Sequence, residues 1–194
     1  MRGWWWSLVL PLTLLACQGG GNVRSASMAT TTEVEQKIDS VLGCQLELPS
    51  GMTHYHVGQN FIWVSDDDVP TMRNICLYSY PGTSLRAEES VRKRDSVMQL
   101  NIRGEVEDMY MHTESKVPVK QKLISWQGRQ LLRTEGLWEM EGDAMGGPFV
   151  SHSRVDTLRR RIVVAEAFVY APGRDKQETM KRLEAVLLKM KEKK

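Results

Sequence analysis

One ten-residue segment near the end of the chain, Arg161–Tyr170, constrains the fold more than any other. After its first residue it reads IVVAEAFVY, which is apolar at every position but one. A strand that is apolar on both faces has no side that can be turned to water, so it belongs in the interior of a sheet. The segment therefore predicts a central β-strand.

The exception within this strand is Glu166. Side chains alternate along a strand, which places this carboxylate among bulky apolar groups on one face. A carboxylate in such surroundings needs a partner, or its pKa rises. Arg133, in a strand that could lie alongside, and His152 are the two candidate partners. We weigh two interpretations of Glu166, a structural ion pair and a functional acid.

The rest of the domain alternates between strand-like and helix-like patterns. Short apolar or alternating runs, separated by turn residues, predict further strands over residues 45–48, 54–57, 61–65, 74–80, 116–123, 129–140 and 149–156. Runs of strands with helices before, between and after them are typical of an α+β fold with a mainly antiparallel sheet flanked by helices. A Mog1/PsbP-like α/β/α sandwich is one arrangement with this order of elements.

Helical spacing of apolar residues predicts three helices. The first follows a Thr32-x-x-Glu35 capping box and ends at Gly43, and the third follows an Asp175-x-x-Glu178 box. The stripes expected to be buried are Val34, Ile38, Val41 and Leu42 in the first helix, Ala87, Val91, Met98 and Ile102 in the second (residues 84–101), and Met180, Leu183, Leu187 and Met190 in the third (residues 176–191).

The chain begins with a positive charge, Arg2, followed by an apolar run from Trp4 to Leu15. This run is shorter than the ~20 residues that a membrane-spanning helix needs. Its size and flanks are those of a signal-peptide hydrophobic region. It ends in LLAC at Cys17, which resembles the lipobox of bacterial lipoproteins. The sequence thus predicts cleavage before Cys17 and acylation of its thiol, with an ordinary signal peptide and an incidental cysteine as the alternative.

The predicted signal peptide and lipidation site divide the chain into three parts. These are a signal peptide over residues 1–16, a flexible tether over residues 17–31 and a single α+β domain over residues 32–194. The tether is rich in Gly, Ser, Ala and Thr and gives a mean reach of ~20 Å from the lipid. Lipoprotein sorting, as generally understood, retains Asp after the cysteine at the inner membrane, and Gln18 stands there instead. We therefore expect an outer-membrane protein that faces the periplasm.

The charge of the chain limits its partners. The net charge is only +2, and Lys and Arg are spread out rather than gathered on one face with aromatic residues. This pattern argues against nucleic acid as a partner. No cofactor is predicted, because the chain has neither the nucleotide-binding GxxxxGK[ST] pattern nor a GxSxG nucleophile elbow.

The most unusual stretch runs from Gly142 to His152 and contains three glycines and a proline. Glycine permits positive φ and close approach of the backbone to a ligand. Three interpretations stay open: a tight connection between strands, a ligand pocket, or acid–base chemistry by Glu139 or Asp143 with His152. The residues of this candidate ligand site are Glu139, Asp143, Gly146, Gly147, His152 and Glu166.

The cysteines and histidines give weaker signals. Cys44 and Cys76 could form a disulfide in an exported protein, or they could be two buried thiols. His54 and His56 have the spacing of metal ligands on one face of a strand, but a structural zinc site needs four ligands. We therefore interpret them as surface histidines and predict no metal site.

Several segments together resemble domain-of-unknown-function family 4837, which comprises lipoproteins of Bacteroidales-type Gram-negative bacteria. The segments are GQNFIW from Gly58, NICLYSYP from Asn74, GLWE from Gly136, GDAMGGPFV from Gly142 and FVYAP from Phe168. The resemblance implies no activity, so no catalytic residue is carried over. We expect a non-enzymatic envelope lipoprotein that binds a protein partner or small ligand, or has a structural role. The alternative is an envelope hydrolase that uses Glu139, Asp143 and His152.

Overall fold

The computed structural model describes residues 29–66 and 70–193. The predicted signal peptide, Cys17 and the tether up to residue 28 lie outside the described residues, so their roles stay predictions. None of the described helices is long and apolar enough to cross a membrane.

The domain contains three helices and ten strands in the described residues. The helices are α1 (Thr31–Leu42), α2 (Ala87–Asn101) and α3 (Gln177–Leu187). The strands are β1 (Cys44–Gln45), β2 (His54–Gly58), β3 (Phe61–Ser65), β4 (Met72–Pro81), β5 (Met111–Thr113), β6 (Lys120–Trp126), β7 (Arg129–Met140), β8 (Gly146–Asp156), β9 (Arg161–Tyr170) and β10 (Lys191–Glu192).

Eight of these strands form one sheet in the order β2-β3-β4-β9-β8-β7-β5, with β6 also paired to β7. Every pairing in this sheet is antiparallel. The strand β9 pairs over its length with β4 on one side and β8 on the other. The prediction of an α+β fold with a mainly antiparallel sheet and a central apolar strand is confirmed.

The sheet lies between two helical layers. The helices α1 and α3 cover one face, called the α1/α3 face, where β9 contributes Val163, Ala165 and Ala167 to an aliphatic core. The helix α2 covers the opposite face, called the α2 face, where the core contains more aromatic side chains. Because β9 is covered on both sides, both sets of its alternating side chains are buried.

The first helix ends where the sequence predicted but begins with different capping residues. Thr30 and Glu33 form the capping box, because the helix starts at Thr31 rather than after Thr32. The predicted box with Glu35 is wrong; the Glu35 carboxylate instead accepts a hydrogen bond from the backbone N–H of Leu48. At the other end, Gly43 adopts φ 61° and terminates the helix as expected.

The buried stripe predicted for the second helix is confirmed at its C-terminal end, where Met98 and Ile102 are buried. Nearer its start the buried residues are Ser90 and Arg94, whereas Ala87 is exposed and Val91 is half-buried. An inward-facing Arg94 explains the difference, because its partner lies on the sheet below. Of the apolar residues expected in the buried stripe, Val91 therefore lies at the border of the interface between α2 and the sheet, and Ala87 lies outside it.

The third helix is shorter than predicted. Leu183 and Leu187 are buried as expected, but the helix ends at Leu187, and Met190 is buried beyond its end. The Asp175 side chain accepts a hydrogen bond from the Gln177 N–H and forms no reciprocal box with Glu178. The chain then leaves the helix and returns as β10, which pairs with β1.

Candidate functional site

The residues of the predicted ligand site do not converge. Glu139 pairs with Gly146 at one end of β7 and β8, and His152 lies six residues farther along β8, ~20 Å away at the rise of a strand. Glu166 lies opposite Ser151 and faces α2, whereas the adjacent His152 faces α3. The combination of Glu139 or Asp143 with His152 for acid–base chemistry is therefore not formed.

Glu139 lies instead in a half-exposed cluster that the sequence did not indicate. His112 Nε2 lies 3.8 Å from Glu139 Oε1 and 3.4 Å from Glu141 Oε2. The β5–β7 pairing produces this contact, because it places His112 directly opposite Glu139. Asp143 is exposed in the following turn, and its carboxylate accepts a hydrogen bond from the Ala144 N–H.

The glycines of this segment have two different roles. Gly142 has φ +78° in the turn. Gly146 and Gly147 lie within β8 and not in the predicted loop. A Cβ on Gly147 would come within 2.1 Å of the Val169 carbonyl oxygen, so glycine is required there by the close approach of two backbones.

Glu166 has a partner, but neither of the two predicted. Arg94 Nη2 donates to Glu166 Oε1 at 2.8 Å and Nε donates to Oε2 at 3.1 Å, a bidentate pair between α2 and β9. Both side chains are buried. The proposed pairing with Arg133 or His152 is wrong, because those side chains lie on the other face of the sheet.

The neighbours of this ion pair complete a closed network. Arg94 also donates to the Thr113 hydroxyl at 3.0 Å and lies 3.9 Å from the centre of the Phe149 ring. Burial raises the pKa of the Glu166 carboxyl, and the charge of Arg94 opposes this. The side chains of Arg94 and Glu166 are only 2% and 0% exposed. The pair therefore joins α2 to the sheet and has no surface for a ligand.

The two cysteines of the domain are free and buried. Cys44 belongs to the core of the α1/α3 face and Cys76 to the core of the α2 face, so the sheet separates them. The predicted possible disulfide is therefore not formed. Burial raises the pKa of the Cys44 thiol to about 11 and that of Cys76 well above its usual value, which keeps both in the unreactive thiol form.

The histidine pair of the sequence lies on the edge strand β2, where His54 and His56 are both exposed. Within residues 29–66 and 70–193, no group of three or more His, Cys, Asp or Glu side chains has the arrangement of a metal site.

A groove of about 570 Å³, called the α3 groove, lies between α3 and strands β6, β7 and β8. None of the six predicted site residues lines this groove, but Pro148, Phe149 and Val150 of the glycine-rich segment do. Its apolar lining consists of Val117, Pro118, Leu137, Pro148, Phe149, Val150 and Met180; its cations are Lys120, Arg133, Arg174, Lys176 and Lys181; and its carboxylates are Glu135, Asp175 and Glu184.

A hydrogen-bonded network forms one wall of the α3 groove. Arg133 Nε donates to Glu184 Oε1 at 2.6 Å, and its Nη1 donates to Glu135 Oε2 at 2.6 Å. The fully buried His152 lies beneath, with Nε2 3.0 Å from the same Glu184 oxygen. Hydrogen bonds from His152 and Arg133 lower the pKa of Glu184 to about 2. Glu184 is thus a fixed carboxylate that orients Arg133 toward the groove.

Sequence reasoning singled out His152 but not its partner Glu184. The available signal was position, because Glu184 lies four residues after Met180 on α3 and next to Leu183 in the predicted stripe. A carboxylate on the border of a buried stripe faces the sheet, where a cation on a neighbouring strand can meet it.

The chain matches a protein family over most of its length. No curated protein matches the chain. The model of a family described as a domain of unknown function, DUF4837, matches residues 31–189. This range begins at the first residue of α1 and ends just after α3, so it includes all three helices and the whole eight-stranded sheet. The chain belongs to the DUF4837 family.

Proposed function

We propose that this protein is an outer-membrane lipoprotein whose periplasmic domain binds an acidic segment of a partner protein in the α3 groove, without catalysing a reaction. The anchor is the acylated Cys17, and the tether that follows it leads directly into α1. The observation that carries the binding role is the uncovered apolar surface of the sheet beside α3.

This surface arises because the helical layer is incomplete. On the α1/α3 face, α3 packs against β8 and β9 and leaves the neighbouring β6–β7 region open. Leu137 on β7 is 37% exposed, and Val117 in the preceding loop is 44% exposed. Both line the groove, so a partner that covers them gains apolar burial.

Charge determines which partner fits. The groove has five cations and three carboxylates, and each carboxylate is already engaged within the domain. Glu135 and Glu184 are held by Arg133, and Asp175 is held by a backbone N–H. The groove therefore has an excess of positive charge, which favours an acidic segment of a partner and disfavours a basic one.

The geometry is suited to recognition. Arg133 is fixed by two carboxylates before any ligand arrives, so little side-chain freedom is lost when it contacts a partner. An apolar floor with a rim of long cations is typical of a surface that binds an acidic peptide with some apolar side chains.

The anchor is tested by replacing Cys17 with Ala. We expect the variant to remain an uncleaved precursor that incorporates no labelled palmitate, whereas the natural chain is cleaved and labelled. Normal labelling of the Cys17→Ala variant would contradict the lipobox interpretation.

The groove is tested by cross-linking the lipoprotein in intact envelopes and identifying the captured proteins. We expect the charge reversal Lys181→Glu to reduce capture of the partner by roughly tenfold, as for other rim charges that steer association. Lys37→Glu, an exposed position on α1 outside the groove, is the matched control and should leave capture unchanged. Equal loss in both variants would show that net charge, rather than the groove, governs the interaction.

A further inference from the structure

A second cleft opens where two neighbouring strands stop pairing. The strand β7 begins at Arg129 and β8 ends at Asp156, but their pairing stops at Leu132 and Ser153. A cleft of about 750 Å³ lies beyond this point. We call it the Arg154 cleft after one of the β8 residues that line it.

Arg154 is nearly fully buried, with 4% of its surface exposed. Its Nη1 donates a hydrogen bond to the Met190 carbonyl at 2.7 Å. Its Nε and Nη2 have no hydrogen-bond partner in the described part of the chain. Buried polar groups are usually hydrogen-bonded, so the guanidinium retains two donors that can bind an acceptor.

The carboxylate beside Arg154 is shared with a second arginine. Glu192 Oε1 lies 3.7 Å from Arg154 Nε, which is an ion-pair distance too long for a hydrogen bond. The other oxygen, Oε2, accepts a hydrogen bond from Arg129. Oε1 itself has no hydrogen-bond partner among residues 29–66 and 70–193. Two guanidinium groups therefore face one carboxylate.

The other carboxylate of the cleft does not relieve this excess of positive charge. Asp156 accepts hydrogen bonds from Arg161 Nε at 3.0 Å and from Arg159 Nη1 at 3.3 Å. Burial lowers the pKa of Arg154; the charge of Glu192 opposes this, and that of Arg129 adds to it. The local balance thus favours an anion that engages Arg154 more closely than Glu192 does at 3.7 Å.

We infer that the Arg154 cleft binds the oxyanion group of a small ligand, a carboxylate or a phosphate. The anion takes the place of Glu192 and accepts hydrogen bonds from Arg154 and Arg129. A guanidinium presents two parallel donors that match the two oxygens of such a group. The hydroxyl-bearing residues Thr83, Ser84 and Thr157 line the same cleft and supply further donors.

Glu192 is placed so that it can be displaced. It lies on β10, which has two residues and pairs with β1 at two positions. A strand held by so few paired residues opens at low free energy. The side chain of Glu192 therefore covers the arginines and competes with the ligand for them.

The test uses the full-length lipoprotein in phosphatidylcholine nanodiscs and isothermal titration calorimetry at constant ionic strength. Inorganic phosphate and succinate are the two probes, and the one that binds identifies the source of the oxyanion. We expect saturable binding that is roughly tenfold weaker in Arg154→Met, because this variant lacks the guanidinium and its paired donors. Glu192→Gln removes the competing charge and should bind the same probe more tightly by about threefold or more.

Two further comparisons make the outcome decisive. Glu192→Gln keeps both arginines, so absence of binding in this variant and in the natural chain overturns the inference even if Arg154→Met fails to fold. Equal affinity in Arg154→Met also overturns it. Lys181→Glu in the α3 groove should leave phosphate and succinate binding unchanged, which separates this site from the proposed partner site.

Discussion

The two faces of the sheet bury charged groups in different ways. On the α2 face, Arg94 and Glu166 are sealed between helix and sheet, with both side chains hidden from solvent. On the α1/α3 face, Arg133 and Glu184 are 28% and 22% exposed and form the wall of a groove. A charged pair without a cleft serves the packing of the domain, whereas a charged pair at the edge of one can also serve recognition.

The largest expected effect breaks the sealed pair. Arg94→Met leaves the Glu166 carboxylate buried without its partner, so we expect the free energy of unfolding to fall by about 3–5 kcal/mol. Chemical denaturation measures this change. The exposed Arg92→Met on the same helix is the control, and a loss below about 1 kcal/mol in Arg94→Met would show that the pair is not an essential link.

The double variant Arg94→Met/Glu166→Met sharpens the same point. It replaces the pair with apolar side chains, and we expect it to regain most of the stability lost by Arg94→Met alone. A double variant as unstable as the single one would mean that the network has a role in packing that apolar groups cannot replace.

The α1/α3 face depends more on aliphatic packing, and Leu187→Ala tests this. Leu187 is the last residue of α3 and is fully buried, so its truncation should lower the free energy of unfolding by about 2–5 kcal/mol. Leu100→Ala on α2 is the matched control, because Leu100 is 70% exposed and should change stability by less than about 0.5 kcal/mol. Similar effects of the two substitutions would contradict the described packing.

The glycine segment is tested by Gly147→Ala, for which we expect a loss of about 1–3 kcal/mol from the clash with the Val169 carbonyl. Gly128 offers the contrast, because it has φ +76° and open space around it. Asn tolerates positive φ, so Gly128→Asn should be nearly silent in thermal unfolding while Gly147→Asn is not. A silent Gly147→Ala would refute the close approach of the two strands.

The smallest effect concerns pH and the groove network. The pKa of Glu184 is lowered to about 2 in the fold from an ordinary value of 4.5, so its stabilising effect is complete above the ordinary value and is lost as the pH falls toward 2. Relative to Glu184→Gln, the free energy of unfolding of the natural chain should fall by about 1–2 kcal/mol over this pH range. The exposed Glu178→Gln is the control. An identical acid dependence of Glu184→Gln and the natural chain would exclude the network.

Local patterns predicted the elements well. The limits of β3, β7 and β9 follow the sequence, because turn residues and apolar runs determine where a strand can begin and end. The partners of charged residues could not be predicted in the same way. Arg94 and Glu166 are 72 residues apart, and Arg133 and Glu184 are 51 apart, so only the assembled sheet shows which of them meet.

The candidate site was predicted only in part for the same reason. His152 reaches the α3 groove through Glu184, and Pro148 from the glycine segment lines it. Glu139, Asp143 and Glu166 lie elsewhere, because the side to which each residue of a strand points depends on register. Register depends on how two strands pair and cannot be predicted from the sequence of either strand alone.

The position of β6 has a consequence for association between copies of the domain. Among residues 29–66 and 70–193, no strand pairs with its outer edge, and β7 pairs with its inner edge. Crowded copies with bare strand edges tend to join edge to edge and aggregate. Lys120 and Lys122 lie on this strand, and the side chain of Lys120 is 82% exposed. Charged lysines on an edge strand oppose edge-to-edge pairing of two copies, because like charges would be brought together.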